Sequence, residues 1–186
     1  MMRALFVLCA ALWLAGCANS GTGVVPPKTV EEVDLQRYQG TWYELARLPT
    51  LLQRNCAQSE AHYQLQGDGS LAVTNRCRSQ DGEWQQVTGR AEPQVAGETD
   101  KLWVRFDNGL SQVLPGLSKG DYWVLYLDDD YRSALVGTPD HDHLWLLSRT
   151  PEAAPELRDT LLKVAHERGY AVEELIWRLP DAKLEP

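Results

Sequence analysis

Four potential metal ligands stand next to one another late in the chain, at Asp140, His141, Asp142 and His143. Carboxylate and imidazole groups are common ligands of zinc and other transition metals. However, the segment around them is rich in turn-forming residues, where charged side chains are expected, and the chain has no HExxH motif and no CxxC pair. We therefore interpret the segment as a hairpin turn, and we predict no metal site and no cofactor.

The sequence also lacks the patterns that place a catalytic group. It contains no nucleophile elbow, no phosphate-binding Walker loop and no dinucleotide fingerprint. His62 is expected to point outward by strand alternation, and His166 lies on a predicted surface helix. We predict no catalytic residue and no enzymatic activity.

The N-terminus is typical of an exported lipoprotein. Met1, Met2 and Arg3 form a short positive segment, and residues 4–14 form an apolar run. That run is shorter than the roughly 20 apolar residues needed to span a bilayer. It ends at Leu14-Ala15-Gly16-Cys17, which matches the bacterial lipobox. We expect removal of residues 1–16 and acylation of Cys17; the alternative is an ordinary secretory signal with a chance cysteine.

Two further cysteines, Cys56 and Cys77, remain after Cys9 is removed with the signal and Cys17 is acylated. They flank a predicted hairpin that turns at residues 67–69, so both lie at the same end of adjacent strands. Because the bacterial periplasm is oxidising, we predict a disulfide between them. On the chain-entropy description, a loop of this length stabilises the fold by about 3 kcal/mol.

Length and charge exclude some classes of partner. The 186 residues carry a formal net charge of −8, which argues against binding to nucleic acid, whose phosphates attract Lys and Arg clusters. We expect a signal peptide at 1–16, a lipidated tether at 17–33, one globular domain at 34–180 and a short tail at 181–186. Ala18, in place of an Asp, favours the outer membrane, with the domain facing the periplasm.

Turn clusters divide the domain into short apolar runs, which is typical of an all-β protein. We predict strands at 42–48, 57–66, 70–78, 83–92, 100–107, 121–128, 131–138 and 143–149. Eight strands can close a barrel that holds one small ligand. Helical spacing of leucines over 155–169 predicts one helix, and 175–177 predicts a short added strand.

Three segments resemble the lipocalin motifs, in the expected order: residues 38–49, 129–131 and 148–151. The likeness covers nearly all of 34–180 and is especially close to bacterial lipocalins and the apolipoprotein D branch. The resemblance implies an eight-stranded antiparallel up-and-down barrel with one C-terminal helix packed outside. It also implies that Trp42 plugs one end beneath Arg149, and the matching signature residues are Gly40, Trp42, Tyr131 and Arg149.

The resemblance implies a carrier of fatty acids, lysophospholipids or similar lipids. Strand alternation places Ala61, Tyr63, Val104 and Phe106 inside the barrel. For strands that are apolar on both faces, the resemblance implies that Tyr122, Tyr126, Leu135 and Trp145 also face the ligand. The alternative is a structural or interaction lipoprotein whose barrel is filled by its own side chains.

Three further expectations concern the barrel. By parity Glu44 shares the face of Trp42, so its carboxylate must be hydrogen-bonded or protonated. Residues 107–118, rich in glycine and apolar residues, are the expected mobile lip over the open end. The family includes dimers, and the sequence does not decide between a monomer and a homodimer.

Overall fold

The computed structural model describes residues 25–107 and 119–184 of the chain. The predictions for the signal peptide and for the acylated Cys17 lie outside these residues. The predicted lip at 107–118 also lies outside them, apart from Asp107. Within the two described ranges, no helix is long and apolar enough to cross a bilayer.

Antiparallel strands in chain order form the barrel, and each strand pairs with the next. The strands are β1 Gly40–Arg47, β2 Gln58–Leu65, β3 Leu71–Arg78, β4 Trp84–Pro93, β5 Lys101–Phe106, β6 Lys119–Leu127, β7 Ser133–Gly137 and β8 Leu144–Ser148. Because β1 pairs with both β2 and β8, the sheet closes on itself. The predicted eight-stranded up-and-down barrel is confirmed, and each strand boundary lies within a few residues of its prediction.

Two short elements and one longer helix complete the fold. A ninth strand, β9, at Ile176–Trp177, pairs with the end of β1, and the C-terminal helix Pro155–Glu167 packs on the outer wall. A single helical turn, Leu35–Tyr38, precedes β1 and is capped by the side chain of Asp34, which accepts hydrogen bonds from two backbone amides.

The two ends of the barrel differ. The β2–β3, β4–β5 and β6–β7 turns and the Leu35–Tyr38 turn lie at one end, which we call the closed end. The β1–β2, β3–β4 and β7–β8 connections lie at the opposite, open end. β1 therefore runs from the closed end to the open end.

The buried apolar side chains form two clusters on either side of the sheet. The interior cluster lies inside the barrel, and its fully or nearly buried members are Val33, Leu35, Tyr38, Trp42, Tyr63, Leu71, Val73, Ala91, Leu102, Val104, Tyr122, Val124, Ala134, Val136 and Leu147. The helix-side cluster lies between the outer wall and the C-terminal helix, and its members are Leu45, Ala46, Leu48, Leu125, Leu135, Leu144, Leu146, Leu161, Ala165 and Tyr170. Burial on both faces explains why β7 and β8 are mostly apolar.

Two β-bulges interrupt the alternation of inward and outward side chains. One lies in β1 between Glu44 and Ala46, and the other lies in β6 between Val124 and Tyr126. Each bulge inserts one extra residue, so the residues after it change face. Consequently Val124 packs in the interior, whereas Leu125 and Tyr126 both contact the helix-side cluster.

The prediction that Tyr126 and Leu135 face the interior is therefore wrong. Tyr126 follows the β6 bulge and pairs with Leu135 of β7, and both side chains lie on the helix side. In β7 the inward residues are Ala134 and Val136 instead. Ser133 alternates with Ala134 and donates a hydrogen bond to Asp128.

The segment before the barrel is more ordered than a free tether. The Val30 amide donates to the Val124 carbonyl over 2.9 Å, Thr29 donates to Asp100 over 2.7 Å, and the Val33 amide donates to Thr99 over 2.9 Å. Val33 itself is buried. Residues of the expected tether thus already contact the barrel before β1 begins.

The predicted disulfide between Cys56 and Cys77 is confirmed, with the two Cα atoms 5.3 Å apart. It joins Cys56, two residues before β2, to Cys77 near the end of β3, at the open end. There it holds the β1–β2 connection against the neighbouring hairpin.

Loss of this disulfide is expected to lower the free energy of unfolding by about 3 kcal/mol, because the reduced chain regains loop entropy in the unfolded state. Urea unfolding of the protein with and without a reductant measures the difference. A Cys56→Ser, Cys77→Ser double variant should unfold at the same urea concentration in both conditions. An unchanged midpoint on reduction of the parent protein would contradict the expectation.

Candidate ligand-binding interior

The closed end of the barrel is sealed by Arg149 and Trp42. The Arg149 guanidinium carbon lies 3.8 Å from the centre of the indole ring, close enough for a cation–π interaction. The indole nitrogen donates to the Tyr38 carbonyl over 2.8 Å. The predicted packing of these two signature residues is confirmed.

Arg149 also binds the backbone of three separate segments. It donates to four carbonyl oxygens at 2.9–3.1 Å, which belong to Arg37, Tyr38, Thr41 and Tyr131. These carbonyls lie in the Leu35–Tyr38 turn, in β1 and in the β6–β7 turn. One side chain therefore provides hydrogen-bond donors to backbone carbonyls that lack partners in the strand ladders at the end of the barrel.

Gly40 is required by this arrangement for two reasons. Its φ of +96° lies in the left-handed region, where residues with a side chain are strained. A Cβ at this position would also lie 3.3 Å from an Arg149 nitrogen. The glycine of the first motif thus allows the guanidinium to approach β1.

Three tyrosines lie on top of the Trp42 plug, and we call them the tyrosine layer. The Tyr122 hydroxyl is 2.7 Å from that of Tyr38 and 3.0 Å from that of Tyr63. Burial raises the pKa of Tyr63 to about 12 and raises the pKa values of Tyr38 and Tyr122 as well. All three phenols are therefore neutral at physiological pH.

Above the tyrosine layer, the accessibility of the inward side chains increases towards the open end. Tyr63, Val104 and Tyr122 are buried, whereas the remaining predicted ligand-lining residues that face inward, Ala61, Phe106 and Trp145, are partly exposed and pack on the interior cluster. Six of the eight predicted positions thus share one interior. The inward side chains are thus mostly apolar, buried towards the closed end and partly exposed towards the open end.

A buried polar network lies at one side of the open end, and we call it the Gln53 network. Gln53, in the β1–β2 connection, donates to Glu44 over 2.7 Å and to Ser59 over 3.1 Å. Its side-chain amide oxygen accepts a hydrogen bond from the Trp145 indole over 3.0 Å. The side chain therefore fastens the β1–β2 connection to three strands of the barrel.

Glu44 and Arg47 form the charged part of this network. They are only 6% and 3% exposed, and the Arg47 guanidinium lies 2.8 Å from the Glu44 carboxylate. Arg47 also donates to the carbonyls of Gln53 and Cys56. The expectation that Glu44 points inward and is hydrogen-bonded agrees with this geometry.

Sequence reasoning did not identify Arg47 or Gln53. Strict alternation from Glu44 places Arg47 on the outer face. The β1 bulge shifts the alternation by one residue and turns Arg47 inward. Gln53 lies in a connection whose course depends on the disulfide at Cys56 rather than on any local pattern. The one available signal in the sequence was the expected burial of the Glu44 carboxylate, which requires a polar partner that the sequence does not identify.

The side chains of the histidine-rich turn make contacts with the protein itself. The His141 ring contacts the Arg168 carbonyl at 2.9 Å, and His143 stacks on Trp145. Asp140 accepts hydrogen bonds from Thr138 and from the Asp142 amide. Across residues 25–107 and 119–184, no three side chains of the metal-binding types converge.

Two depressions on the outer surface are distinct from the interior. One, of about 260 Å³, is lined by Thr41, Glu60, Ala61, His62, Thr74 and Arg76. The other, of about 680 Å³, lies near the disulfide and is lined mainly by polar and charged side chains. Since Glu60 and Arg76 already form an ion pair, and neither depression is predominantly apolar, we place the candidate site inside the barrel.

A closed antiparallel barrel with one end sealed by an arginine-covered indole defines a class of small cup-shaped β proteins. The Lipocalin-like domain family matches residues 33–180. This chain belongs to the lipocalin family, and the resemblance predicted from its motifs is confirmed.

Individual relatives agree with that assignment. The chain is 39% identical to the outer membrane lipoprotein Blc of Citrobacter freundii over 182 residues, which cover 95% of this chain and 97% of that protein. It is 30% identical to bovine apolipoprotein D, with 94% of each covered. Insecticyanin from the tobacco hornworm Manduca sexta has the same fold, with a TM-score of 0.64, 20% identity and 87% of each chain covered.

Replacement of Arg149 by Met is expected to lower the free energy of unfolding by about 3 kcal/mol, because four carbonyls lose a charged donor and the indole loses its cation. Thermal and urea unfolding measure the loss. Arg158→Met is the matched control, since Arg158 lies 3.5 Å from the Trp177 ring on the exposed outer wall. A loss at Arg149 no larger than that at Arg158 would show that the closed end does not depend on this side chain.

Replacement of Arg47 by Met is expected to destabilise the protein by about 3–5 kcal/mol, because it leaves the buried Glu44 carboxylate without its charged partner. The Arg47→Met, Glu44→Leu double variant should be less destabilised than the single variant, since no charge remains buried. Urea unfolding compares the two. The more exposed pair Arg76 and Glu60, whose side chains are 43% and 15% exposed, provides the control, for which the same replacements should change stability by less than about 1 kcal/mol.

Proposed function

We propose that this protein binds a small apolar ligand inside its barrel, and that the ligand is a fatty acid, a lysophospholipid or a similar single-chain lipid. The observation that carries the proposal is the graded interior: an apolar wall, fully buried at the closed end and partly exposed towards the open end. Eight strands enclose a space suited to one small ligand. Apolar surface of this kind, with a single route to solvent, favours an acyl chain.

The polar groups of the interior support one orientation of such a lipid. The charged side chains Glu44 and Arg47 lie towards the open end, whereas the closed end presents apolar and neutral aromatic groups. An acyl chain would therefore enter first, and its charged head group would remain near the Gln53 network and solvent. The reverse orientation would bury a charge among neutral side chains at high cost.

We infer that the domain is held at the outer membrane, facing the periplasm, by acyl chains on Cys17. The lipobox at residues 14–17 and the name of the Citrobacter relative, an outer membrane lipoprotein, support this location. More than one acyl chain gives stable anchoring. The proposed role is binding and transfer of lipid, without a chemical step.

Purification of the acylated protein in mild detergent, followed by mass spectrometry of bound lipid, tests the proposal. We expect a single-chain lipid in a stoichiometric amount. Protein that carries no lipid and takes up none when fatty acid or lysophospholipid is added would favour the alternative, a structural lipoprotein with a filled barrel.

Trp145 is expected to report ligand entry, because its indole is inward and partly exposed. Hexadecanoic acid should change the tryptophan fluorescence of the parent protein in a saturable way. The change should be lost in Trp145→Phe and retained in Trp84→Phe, whose indole lies on the outer surface. An equal response in both variants would place the ligand elsewhere.

A further inference from the structure

The tyrosine layer has one more hydrogen-bond donor than it uses. Three hydroxyl groups carry three hydrogens, but only two contacts join them, Tyr38 to Tyr122 and Tyr63 to Tyr122. Within the part of the chain that the structure describes, these hydroxyls contact no other acceptor. One phenol hydrogen is therefore unpaired, and an unpaired buried donor is unfavourable.

The unpaired hydrogen can be presented to the interior by Tyr122. Hydroxyl hydrogens rotate, so Tyr38 and Tyr63 can both donate to the Tyr122 oxygen and leave the Tyr122 hydrogen free. Tyr122 is 8% exposed, compared with 0% for Tyr38 and 4% for Tyr63. It is thus the least completely buried member of the layer.

An unpaired acceptor lies on the wall above the same layer. The buried Asn75 side-chain oxygen has no hydrogen-bond partner within the described residues. Asn75 pairs with Ala61 in β2, and Val73, two residues below it, pairs with Tyr63. By strand geometry Asn75 lies about 7 Å nearer the open end than the level of Tyr63, on the inward face of β3.

We propose that the tyrosine layer and Asn75 form a hydrogen-bonding subsite for a neutral oxygen, a hydroxyl or a carbonyl, carried at the leading end of the apolar ligand. This inference rests on the proposed function. A plain acyl chain ends in a methyl group and leaves both the donor and the acceptor unpaired. An oxygen on the chain can accept from the phenol, and a hydroxyl can donate to the amide oxygen, so an oxygenated chain matches the site better than a plain one.

The subsite is specific for a neutral group. The guanidinium of Arg149 is already used by four backbone carbonyls, and Arg47 is paired with Glu44. A carboxylate at the leading end would therefore be buried without a cation. In an entirely apolar barrel, a hydroxyl at the leading end would also be buried without a hydrogen-bond partner. The relative binding of a hydroxylated chain and a plain chain therefore distinguishes a barrel with the subsite from one without it.

A competition between two matched ligands tests the subsite in the full acylated protein. Hexadecanoic acid and 16-hydroxyhexadecanoic acid have the same head and chain length and differ only in the terminal oxygen. Equal amounts are added in one detergent solution, and native mass spectrometry gives the ratio of the two bound forms. Tyr122→Phe and Asn75→Val are compared with the parent protein, and Tyr126→Phe, a tyrosine on the outer wall, is the matched control. Because all variants share the detergent, its own preference cancels.

We expect the ratio of hydroxylated to plain acid to be at least about fivefold higher in the parent protein than in Asn75→Val or Tyr122→Phe. Tyr126→Phe should behave as the parent. If Tyr122→Phe does not fold, Asn75→Val alone decides. An equal ratio in all folded variants, with both acids bound, overturns the subsite and leaves the carrier function standing. Failure of the parent protein to bind either acid overturns both.

Discussion

The seal formed by Arg149 over Trp42 is the interaction on which the rest of this structure depends. A barrel of eight short strands has two ends at which backbone carbonyls lack ladder partners, and an end open to water cannot bury an apolar interior. The guanidinium satisfies four such carbonyls and covers the indole at the same time. It also joins the end of β8 to the start of β1, the two strands that close the sheet. The closed end therefore shields the apolar interior from water.

Much of the architecture could be predicted because it is encoded locally. Glycine- and aspartate-rich turns delimit the strands, and their positions locate all eight to within a few residues. Alternation in β2 and β5 correctly placed Tyr63 and Val104 inside, because one face of these strands is polar and faces solvent. The disulfide followed from hairpin pairing, which brings the two cysteines to the same end.

The predictions failed where two apolar surfaces compete for the same strands. β7 has the sequence Ser-Ala-Leu-Val-Gly and is buried on both faces, so its composition contains no signal for inside and outside. In β6 the bulge after Val124 shifts the face of Tyr126, and a bulge leaves no mark that a single sequence reveals. Gln53 was not predicted for another reason. Its partners Glu44, Ser59 and Trp145 are brought together only by closure of the barrel.

The β1 bulge places a charged pair at the open end of an interior that is otherwise mostly apolar. If the chain alternated regularly from Glu44 through Leu45 and Ala46, Arg47 would lie on the outer wall and the Glu44 carboxylate would be buried alone. The same bulge directs Leu45 and Ala46 outward into the helix-side cluster, so that the packing of the C-terminal helix and the pairing of an interior charge depend on one backbone irregularity. The C-terminal helix thus contributes indirectly to the proposed binding site. The apolar contacts that hold the helix on the outer wall also stabilise the β1 bulge, and this bulge keeps the charged Arg47 at the open end, away from the tyrosine layer.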